Sequence, residues 1–571
     1  MPERAARLAG KNNRAGTEKG GKKKMTTVKT IEQKAVLVAW LAAAAIVLLA
    51  GNASAQIGIP PAPMPPNTAV CPVPLIDVDA RRSVFVTELN VLKKFELEDV
   101  LGRLAAPSIT PALGAKALWK QWWDTQNVAP GLGVGLNCDD IIDASGNPAI
   151  NGFPIECPRP EGDEVNNNPF DPGLASYYKP IALVNRFDLA PTDGANCGEY
   201  RVIFARDSGA TNLTQRNLVI FEAVLPNPNP GCGVEGCRDV AKFWGKLTDI
   251  NGAKRRGRLL RRFYFSGIPS LGIEPVIQRA NFGPGAGQVR TNQFLNTPGP
   301  VPWQLREFKL VELCTSPSGP CQVQFVPVTD KTNPFGELFD DTSTLPRANP
   351  FQSHLLTQLP DLVVNDLLGF SYQVPDMFNA GQSNSQGSEN NYEFHFNQGS
   401  GALGNAMQAG LNLLGSSLTP GEVVKRAQTQ SCAGCHQLNN FGQAANLGGG
   451  LTWPPSLGFV HVSEGTTVTI NGTQHWQTSL ALDDVFIPAR ESLLEDFLSN
   501  PPCSPCVSLA AGSGPGNGAS MAPPGSGQGS MLVEPDEWGR LLVDPADVAA
   551  LDARLSEGRS LLTIGGPRRV H

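Results

Sequence analysis

The sequence predicts an α+β fold, in which a disulfide-stapled globular region is followed by a small, mainly helical module. Three observations lead to this prediction. The 571 residues include 60 glycines and 49 prolines, more than a helical bundle carries, so the chain is rich in loops. Twelve cysteines are enough for several disulfides. Short runs of Val, Ile and Phe alternate with stretches of helical spacing, which is typical of mixed strands and helices.

The first 55 residues have the layout of a secretory signal peptide. A lysine-rich stretch precedes 16 apolar residues, 35–50, and Ala53-Ser54-Ala55 supplies small residues for a signal peptidase; Met25 is a candidate alternative start. A single membrane anchor is the alternative, but 16 residues are fewer than the ~20 that span a bilayer. We therefore expect export by the Sec route to the periplasm or the exterior.

Removal of residues 1–55 makes the remaining chain more acidic. The leader holds 10 Lys/Arg and 3 Asp/Glu, so 36 basic and 49 acidic residues remain, a net charge of −13. Such a chain repels nucleic-acid phosphates, so the sequence indicates no nucleic-acid partner. No other apolar run has the length of a bilayer span, so we expect none in the mature chain. Residues 56–70 form a proline-rich lead-in.

Residues 71–400 are expected to form the α+β domain, whose role the sequence leaves open. Three runs rich in Val, Ile and Phe have the composition of strands: 181–189, 201–205 and 217–225. Three tryptophans share one helical face by i, i+3, i+4 spacing: Trp119, Trp122 and Trp123. A stacking platform is one interpretation of this face, but buried core is the prediction because large aromatic rings dominate protein interiors.

Cysteine spacing suggests several local disulfides but does not fix their connectivity. Ten cysteines remain when the pair at 432 and 435 is set aside. Three pairs flank short loops: Cys232 with Cys237, Cys314 with Cys321 across a hairpin, and Cys138 with Cys157. Cys503-Ser-Pro-Cys506 has redox-motif spacing, but no helical pattern follows to lower a thiol pKa. A structural bridge is therefore predicted there.

The segment Cys432-Ala433-Gly434-Cys435-His436 has the spacing for covalent haem attachment. Two thiols separated by two residues can add to the two haem vinyl groups, and the next histidine can bind the iron. A chain of this composition would contain the pattern by chance only about 0.003 times. A disulfide and a zinc half-site are the alternatives, but zinc would need a second Cys/His pair, and none follows. Thr419-Pro420-Gly421-Glu422 predicts the start of a helix leading into the motif.

This motif resembles that of the c-type cytochromes. The resemblance implies a cytochrome c-like haem module at 401–500, with one covalently attached haem c held by Cys432 and Cys435 and His436 as proximal iron ligand. The chain also resembles a group of uncharacterised secreted bacterial proteins, on four further elements: Val184-Asn185-Arg186-Phe187-Asp188-Leu189, Cys197-Gly198-Glu199-Tyr200-Arg201, Leu305-Arg306-Glu307-Phe308, and Phe-x-His-Val at 459–462. That second likeness implies no activity.

His461 is the first candidate for the distal iron ligand. It lies 25 residues after the proximal histidine, in a strand-like run at 457–462 that contains the Phe-x-His-Val element. His475, after the Asn471-Gly472 turn of a predicted hairpin, ranks second, and an open site ranks third. By resemblance to small cytochromes, a carbonyl of Pro454-Pro455 would accept the imidazole N–H of His436, and Trp453 and Phe459 would pack on the porphyrin.

These features predict an exported single-haem protein that transfers one electron at a time to a redox partner protein. A haem peroxidase or oxygenase with an open distal site is the first alternative, and a secreted binding protein with a structural haem is the second. The basic run at 254–262 is interpreted as a solvated face, with an acidic redox partner or the haem propionates as alternatives. Residues 501–530 have the composition of a flexible Gly/Ser/Pro linker, and 531–571 of a C-terminal helical segment.

Overall fold

A computed structural model describes residues 71, 73–105, 114–132, 135–295, 302–314, 321–397, 401–439, 444–503 and 506. The predictions for the leader at 1–55, the lead-in at 56–70 and the C-terminal segment at 531–571 lie outside these residues, as does nearly all of the linker at 501–530. The described residues belong to one compact unit, Ala69–His571.

An antiparallel sheet forms the centre of the described unit. Its strands are β1 Phe85–Val86, β4 Tyr178–Arg186, β5 Asn196–Arg206, β6 Gln215–Pro226, β7 Gln288–Leu295, β8 Gln304–Cys314, β9 Cys321–Val328 and β10 Ser383–Asn384. In the sheet they follow the order β1-β4-β5-β6-β7-β8-β10, and β9 pairs with β8 beyond the end of β10. The short or paired strands outside this sheet are β2 Ala149–Ile150, β3 Phe153–Pro154, β11 Ala445–Asn446, β12 Thr452–Trp453, β13 Val462–Ile470 and β14 Thr473–Thr478.

Three of the sheet strands, β4, β5 and β6, overlap the runs that the sequence predicted, although the last three residues of the first run, Phe187–Leu189, form a 3₁₀ turn. Their side chains are mostly buried on both faces, because the sheet is covered on both sides. The predicted hairpin at 303–328 is formed by β8 and β9, with Cys314 opposite Cys321 in register. Asn471 and Gly472 take positive φ values between β13 and β14, as a two-residue hairpin turn requires.

Helices surround the sheet and its C-terminal extension. They are α1 Ala80–Ser83, α2 Leu89–Leu92, α3 Leu97–Ala105, α4 Ala115–Asp124, α5 Arg238–Gly245, α6 Ala253–Ser266, α7 Ala348–Thr357, α8 Leu359–Leu362, α9 Tyr392–His395, α10 Ala402–Leu413, α11 Pro420–Gln428, α12 Cys432–Asn439 and α13 Ile487–Ser499. A π-helical turn, Ala481–Phe486, leads directly into α13. Among the described helices, none is both long enough and apolar enough to cross a bilayer.

The aromatic rings of α4 pack against one face of the sheet. Trp122 lies 4.4 Å from Phe325 and 5.6 Å from Phe308, ring centre to ring centre. The three tryptophans of this helix are fully buried, which confirms the prediction that they form core. On the same face, Tyr200 of β5 stacks on Trp244 of α5 at 5.7 Å. This face is therefore closed by α4, α5 and α6.

The segment 401–500 packs on the other face of the sheet. Helix α12 contacts β8 and β10, and β13 contacts β4. The boundary predicted at residue 400 does not coincide with a division between compact units in the described residues. The described chain is thus mixed α and β with a sheet-rich N-terminal part, and residues 401–500 supply the second cover of its sheet.

Disulfides join distant parts of the chain. The bonded pairs are Cys71–Cys503, Cys138–Cys157, Cys197–Cys237 and Cys232–Cys506. The prediction of Cys138–Cys157 is confirmed, whereas the local bridges Cys232–Cys237 and Cys503–Cys506 are wrong. Cys237 is fully buried in the core beside Cys197, and the two cysteines of the Cys503-Ser-Pro-Cys506 segment bond to two different distant cysteines, Cys71 and Cys232.

Candidate functional site

The motif helix α12 begins where α11 ends, and close backbone packing positions it. Thr419 and Glu422 form a reciprocal capping box at the start of α11, as predicted. Ser431 starts α12 by accepting a hydrogen bond from the Gly434 N–H through its hydroxyl at 3.1 Å. The Ala433 N–H donates to the Ser383 hydroxyl at 2.9 Å, which fixes α12 against β10 at the edge of the sheet.

The two motif cysteines point in different directions. Both are buried and neither is in a disulfide. Cys432 lines a cavity on the sheet face together with His436. Cys435 instead lies behind the helix, where its sulfur accepts hydrogen bonds from Trp453 Nε1 at 3.3 Å and Asn439 Nδ2 at 3.6 Å. Trp453 therefore contacts a motif thiol and not the cavity wall.

His461 faces His436 across this cavity. The two imidazole ring centres are 5.0 Å apart, with their planes inclined by 40°. His461 Nδ1 shares a hydrogen bond with the Ser479 hydroxyl at 2.8 Å, and the Ser479 N–H donates to the His461 carbonyl at 2.9 Å. The ring is thus held by one residue at the start of the π-helical turn. Of the two candidate distal histidines, His461 is the one that shares a cavity with the motif.

A tight turn, not a strand, presents His461. The prediction of a strand at 457–462 is wrong for the residues before Val462, where β13 begins. The Leu457 N–H donates to the Val460 carbonyl at 2.8 Å, which closes a turn. Gly458 and Phe459 both have positive φ, 64° and 65°. A phenylalanine in this region is strained, so surrounding groups must hold it. Asn292 Nδ2 donates to the Phe459 carbonyl at 2.8 Å, and Arg216 donates to the Gly458 carbonyl.

Aromatic packing fixes the ring of His436. Trp303 lies 4.8 Å from it and Phe459 6.4 Å, ring centre to ring centre. Its Nδ1 is buried and has no hydrogen-bond partner in the described part of the chain. The predicted bond to a proline carbonyl is therefore wrong. The Pro454 carbonyl accepts from Asn439 Nδ2 at 3.1 Å, and the Pro455 carbonyl accepts from the Ala481 N–H at 3.3 Å.

The cavity between the two histidines is largely apolar and has a volume of about 100 Å³. Its sheet wall is formed by alternate residues of β5, β6 and β7, and its other wall by the segment around His461. The apolar lining side chains are Phe85, Ile181, Val184, Ile203, Leu218, Ile220, Leu305, Val460, Val462 and Leu482. Apart from Cys432 and the two histidines, the polar lining residues are three arginines, one glutamate and one asparagine: Arg201, Arg290, Arg490, Glu222 and Asn292.

A buried ion-pair chain crosses the sheet beside the cavity. Arg201 pairs with Glu222 at 3.1 Å, Glu222 with Arg290 at 3.0 Å, and Arg290 with Glu307 at 2.9 Å. All four side chains are nearly inaccessible. Their mutual pairing offsets the free-energy cost of removing these charges from water, a cost that is too high for an isolated buried charge. Burial raises the pKa of Glu307, but the positive charges of Arg290, Lys331 and Lys309 together outweigh it, so this pKa stays below its usual value.

The cavity environment keeps both histidines neutral. Burial, followed by the proximity of His461 and Arg216, lowers the pKa of His436 well below its usual value. Burial and the positive charge of Arg490 lower the pKa of His461 to about 4. Neutral imidazole is the form that binds metal ions. Burial also raises the pKa of the Cys435 thiol to about 12 and that of Cys432 further.

The second candidate ligand, His475, lies away from the cavity. It sits on β14 with its Nδ1 3.3 Å from the Thr87 hydroxyl, and its backbone bridges to Glu88. The adjacent Trp476 N–H donates to the Thr87 carbonyl at 3.1 Å. His475 therefore joins the β13–β14 hairpin to the segment before α2, which is a structural role.

Cys432, His436 and His461 at the cavity are of the residue types that hold a covalent haem, but Cys435 points away from the cavity and the space is smaller than a haem needs. Two thiols at i and i+3, followed by an imidazole, lie on α12, and a second neutral imidazole faces the first. Two imidazoles that bind one metal ion from opposite sides place their ring centres about 6 Å apart, given metal–nitrogen distances near 2.0 Å. The observed 5.0 Å is shorter, and pockets for larger ligands usually exceed ~300 Å³.

A bare metal ion is less well matched to this arrangement. Among the described residues, no three His, Cys, Asp or Glu side chains lie close enough together to hold one. The two thiols diverge and only two imidazoles converge. A tetrahedral zinc site needs four convergent ligands, whereas a haem iron needs only two from the protein.

Several residues that shape the site carry no signal in the sequence. Asn292 lies on β7, Arg216 on β6 and Trp303 directly before β8, whereas Ser479 and Arg490 follow the β13–β14 hairpin. Each is a residue type that is common at core or surface positions, so the sequence around it does not mark it as part of a site. Only the order of strands in the sheet brings them to the cavity.

Comparison with protein-family models, with curated protein sequences and with solved structures finds no match to this chain.

Proposed function

We propose that this chain is an exported c-type haem protein that carries one electron at a time. In this proposal Cys432 and Cys435 hold one covalent haem c, His436 is the proximal ligand of its iron, and His461 is the distal ligand. Residues 401–500 would then serve as a cytochrome c-like haem module built onto the sheet. When bound, the haem supplies an iron centre that accepts and releases a single electron.

The observation that carries the proposal is the pairing of His436 with His461. The sequence singled out both histidines, 25 residues apart, for reasons independent of their spatial arrangement. In the structure their ring centres are 5.0 Å apart in one cavity, which Cys432 also lines. A widening of this gap by about 1 Å would bring both imidazoles to metal-binding distance.

The chain's own residues would prepare this cavity in three ways. The low pKa values of His436 and His461 leave both imidazoles unprotonated and ready to bind. The Ser479 hydroxyl orients His461 through Nδ1, so that its other nitrogen faces the cavity. The apolar wall from β5, β6 and β13 excludes water, and a dry environment around an iron centre sets its reduction potential.

The test is the optical spectrum of protein produced by cells that have haem-attachment machinery. We expect one haem per chain that resists acid–acetone extraction and gives a c-type pyridine haemochrome spectrum. Replacement of Cys432 and Cys435 by serine should remove the covalent haem. A chain that emerges from such a host without covalent haem would contradict the proposal.

Two histidine variants test the ligand assignment. His461→Ala should convert a low-spin, six-coordinate spectrum into a high-spin one, because it removes the distal imidazole. His475→Ala is the matched control, since that histidine is also removed from bulk solvent but lies outside the cavity, and its spectrum should stay low-spin. A wild-type protein that is already high-spin and turns over peroxide would instead favour a haem peroxidase.

A further inference from the structure

Helix α6 carries a straight stripe of positive charge on its exposed side. Lys254, Arg258 and Arg262 follow one another at i, i+4 and i+8, and Arg255 lies beside them. All four are exposed, and within the described residues none forms an ion pair. At 1.5 Å of rise per residue the stripe extends over about 12 Å. We refer to these four residues as the basic stripe.

The basic stripe opposes the stability of its own helix. Like charges at i, i+4 each destabilise a helix by about 0.2–0.5 kcal/mol, and the stripe contains two such pairs. Lys254 and Arg255 also occupy the first turn, where the helix dipole favours negative charge and where no acidic residue is present.

The other two arginines of α6, Arg256 and Arg261, have structural roles. Arg256 is buried and pairs with Glu88, and it also donates to the Ile250 carbonyl. Arg261 pairs with Asp99 at 2.9 Å, donates to the Lys94 carbonyl and lies over the ring of Phe265. Each of these cations is bound by its neighbours, whereas the basic stripe is left open to solvent.

We propose that the basic stripe is the docking surface for an acidic patch on a partner protein. The full chain has a net charge of −6, so an extended anionic surface such as a lipid bilayer or a nucleic acid would be repelled by most of the molecule. A compact acidic patch of helix length matches the stripe in size and complements its charge. Such pairing mainly accelerates association and selects the partner.

This surface lies directly behind the candidate functional site. Tyr264 of α6 donates to the Arg201 carbonyl of β5 at 2.8 Å, and the Arg201 side chain lines the cavity on the other face of the sheet. A partner bound to α6 would therefore be separated from the cavity by one helix and one strand layer. The docking proposal itself needs no bound haem, so it can fail without affecting the proposed function.

Binding of a fluorescein-labelled oligoglutamate peptide, measured by fluorescence anisotropy, tests the proposal. We expect the wild-type chain to bind it with an affinity that falls as ionic strength rises. Arg258→Glu/Arg262→Glu should weaken binding at least tenfold. Lys116→Glu/Lys120→Glu on α4 is the matched control, because it makes the same change in net charge at the same i, i+4 spacing. This control should bind nearly as well as the wild type.

Three results would overturn the proposal: no binding of the peptide at low salt, equal weakening in both double variants, or preferential binding of phosphatidylglycerol vesicles over the peptide in a co-sedimentation assay. Equal weakening would mean that net charge alone attracts the peptide. Vesicle binding would mean that the stripe recognises an anionic membrane surface. Circular dichroism of both variants verifies that α6 and α4 remain folded.

Discussion

Gly434, between the two motif cysteines, occupies a position where no other residue fits. A Cβ at this position would lie 2.3 Å from the Gln428 carbonyl oxygen, at the end of the preceding helix. The small residue therefore permits α12 to start directly against α11. The requirement comes from the approach of one backbone to another, and it holds whether or not a cofactor is bound.

Gly434→Ala should destabilise the protein by about 1–3 kcal/mol, because the added methyl group forces the two helices apart. Gly421→Ala in α11 is the control, since a Cβ there meets no atom within 4 Å. We expect the control to be neutral or to stabilise by about 0.4–1 kcal/mol through reduced unfolded-state entropy. Urea denaturation measures both, and equal behaviour of the two variants would contradict the packing argument.

Glu389 is a buried carboxyl group with a strongly raised pKa. Burial raises its pKa to about 7, although Gln382 and Asn384 donate hydrogen bonds to its Oε2 at 2.9 and 2.7 Å. The folded protein thus keeps this proton at pH values where the unfolded chain has lost it. Stability must then fall as the pH rises between about 4.5 and 7.

Glu389→Gln should remove this part of the pH dependence, because the amide retains a carbonyl acceptor and cannot ionise. At pH 8 the variant should be more stable than the wild type by about 2–3 kcal/mol, and the difference should vanish below pH ~4.5. Thermal unfolding across this pH range is the measurement. The exposed Glu337→Gln serves as control, and a variant that gains no stability at pH 8 would contradict the assignment.

At the scale of the element, the charge pattern of α6 leads to a stability prediction. Arg258→Glu replaces two like-charged i, i+4 pairs with two opposite-charged ones, so it should stabilise the protein by about 1 kcal/mol. Arg258→Gln should give roughly half of that gain, because it removes repulsion without adding attraction. Urea denaturation at low salt compares the three proteins. Destabilisation by both substitutions would show that Arg258 serves the fold after all.

The elements that the sequence predicted well are those with strong local patterns. Strands β4, β5 and β6, the tryptophan face of α4 and the capping box of α11 each follow from periodicity or capping within about ten residues. The turn before β13 could not be predicted, because its positive φ at Phe459 is maintained by Asn292 and Arg216 from distant strands. Local pattern favoured a strand there, and tertiary hydrogen bonds overrode it.

The same contrast between local patterns, which could be predicted, and tertiary contacts, which could not, applies to the candidate site. Cys432, Cys435, His436 and His461 could be selected from the sequence by motif and spacing. The partners that orient them could not, because Trp303 and Ser479 reach the cavity only through the sheet order and the hairpin. The prediction that the Pro454 carbonyl accepts the His436 N–H was wrong for the same reason. That carbonyl accepts a hydrogen bond from the side chain of Asn439, at the end of α12.

At the scale of the whole molecule, one disulfide joins the two ends of the described chain, Cys71 to Cys503, and a second joins its C-terminal end to its interior, Cys506 to Cys232. Cys71–Cys503 spans 432 residues and Cys232–Cys506 spans 274, so neither could be inferred from local spacing. Both constrain the unfolded chain far more than Cys138–Cys157, which spans 19 residues.

Removal of the longest bridge should therefore cost more stability than removal of the shortest. We expect Cys71→Ser/Cys503→Ser to lower the free energy of unfolding by about 3–5 kcal/mol, and Cys138→Ser/Cys157→Ser by about 2–3 kcal/mol. Guanidinium denaturation under oxidising conditions measures both. The reverse order would show that the native contacts of the short loop, and not chain entropy, dominate.

The bond between Cys71 and Cys503 also determines how the molecule would bear tension. A pull applied to the two chain termini passes from residue 71 to residue 503 through the sulfur–sulfur bond, and the 431 residues between them lie outside the load path. The sheet and its cavity are therefore shielded from stretching for as long as that bond is oxidised. A chain tethered at either end could be dragged by flow or by a partner without any strand of its sheet being pulled apart.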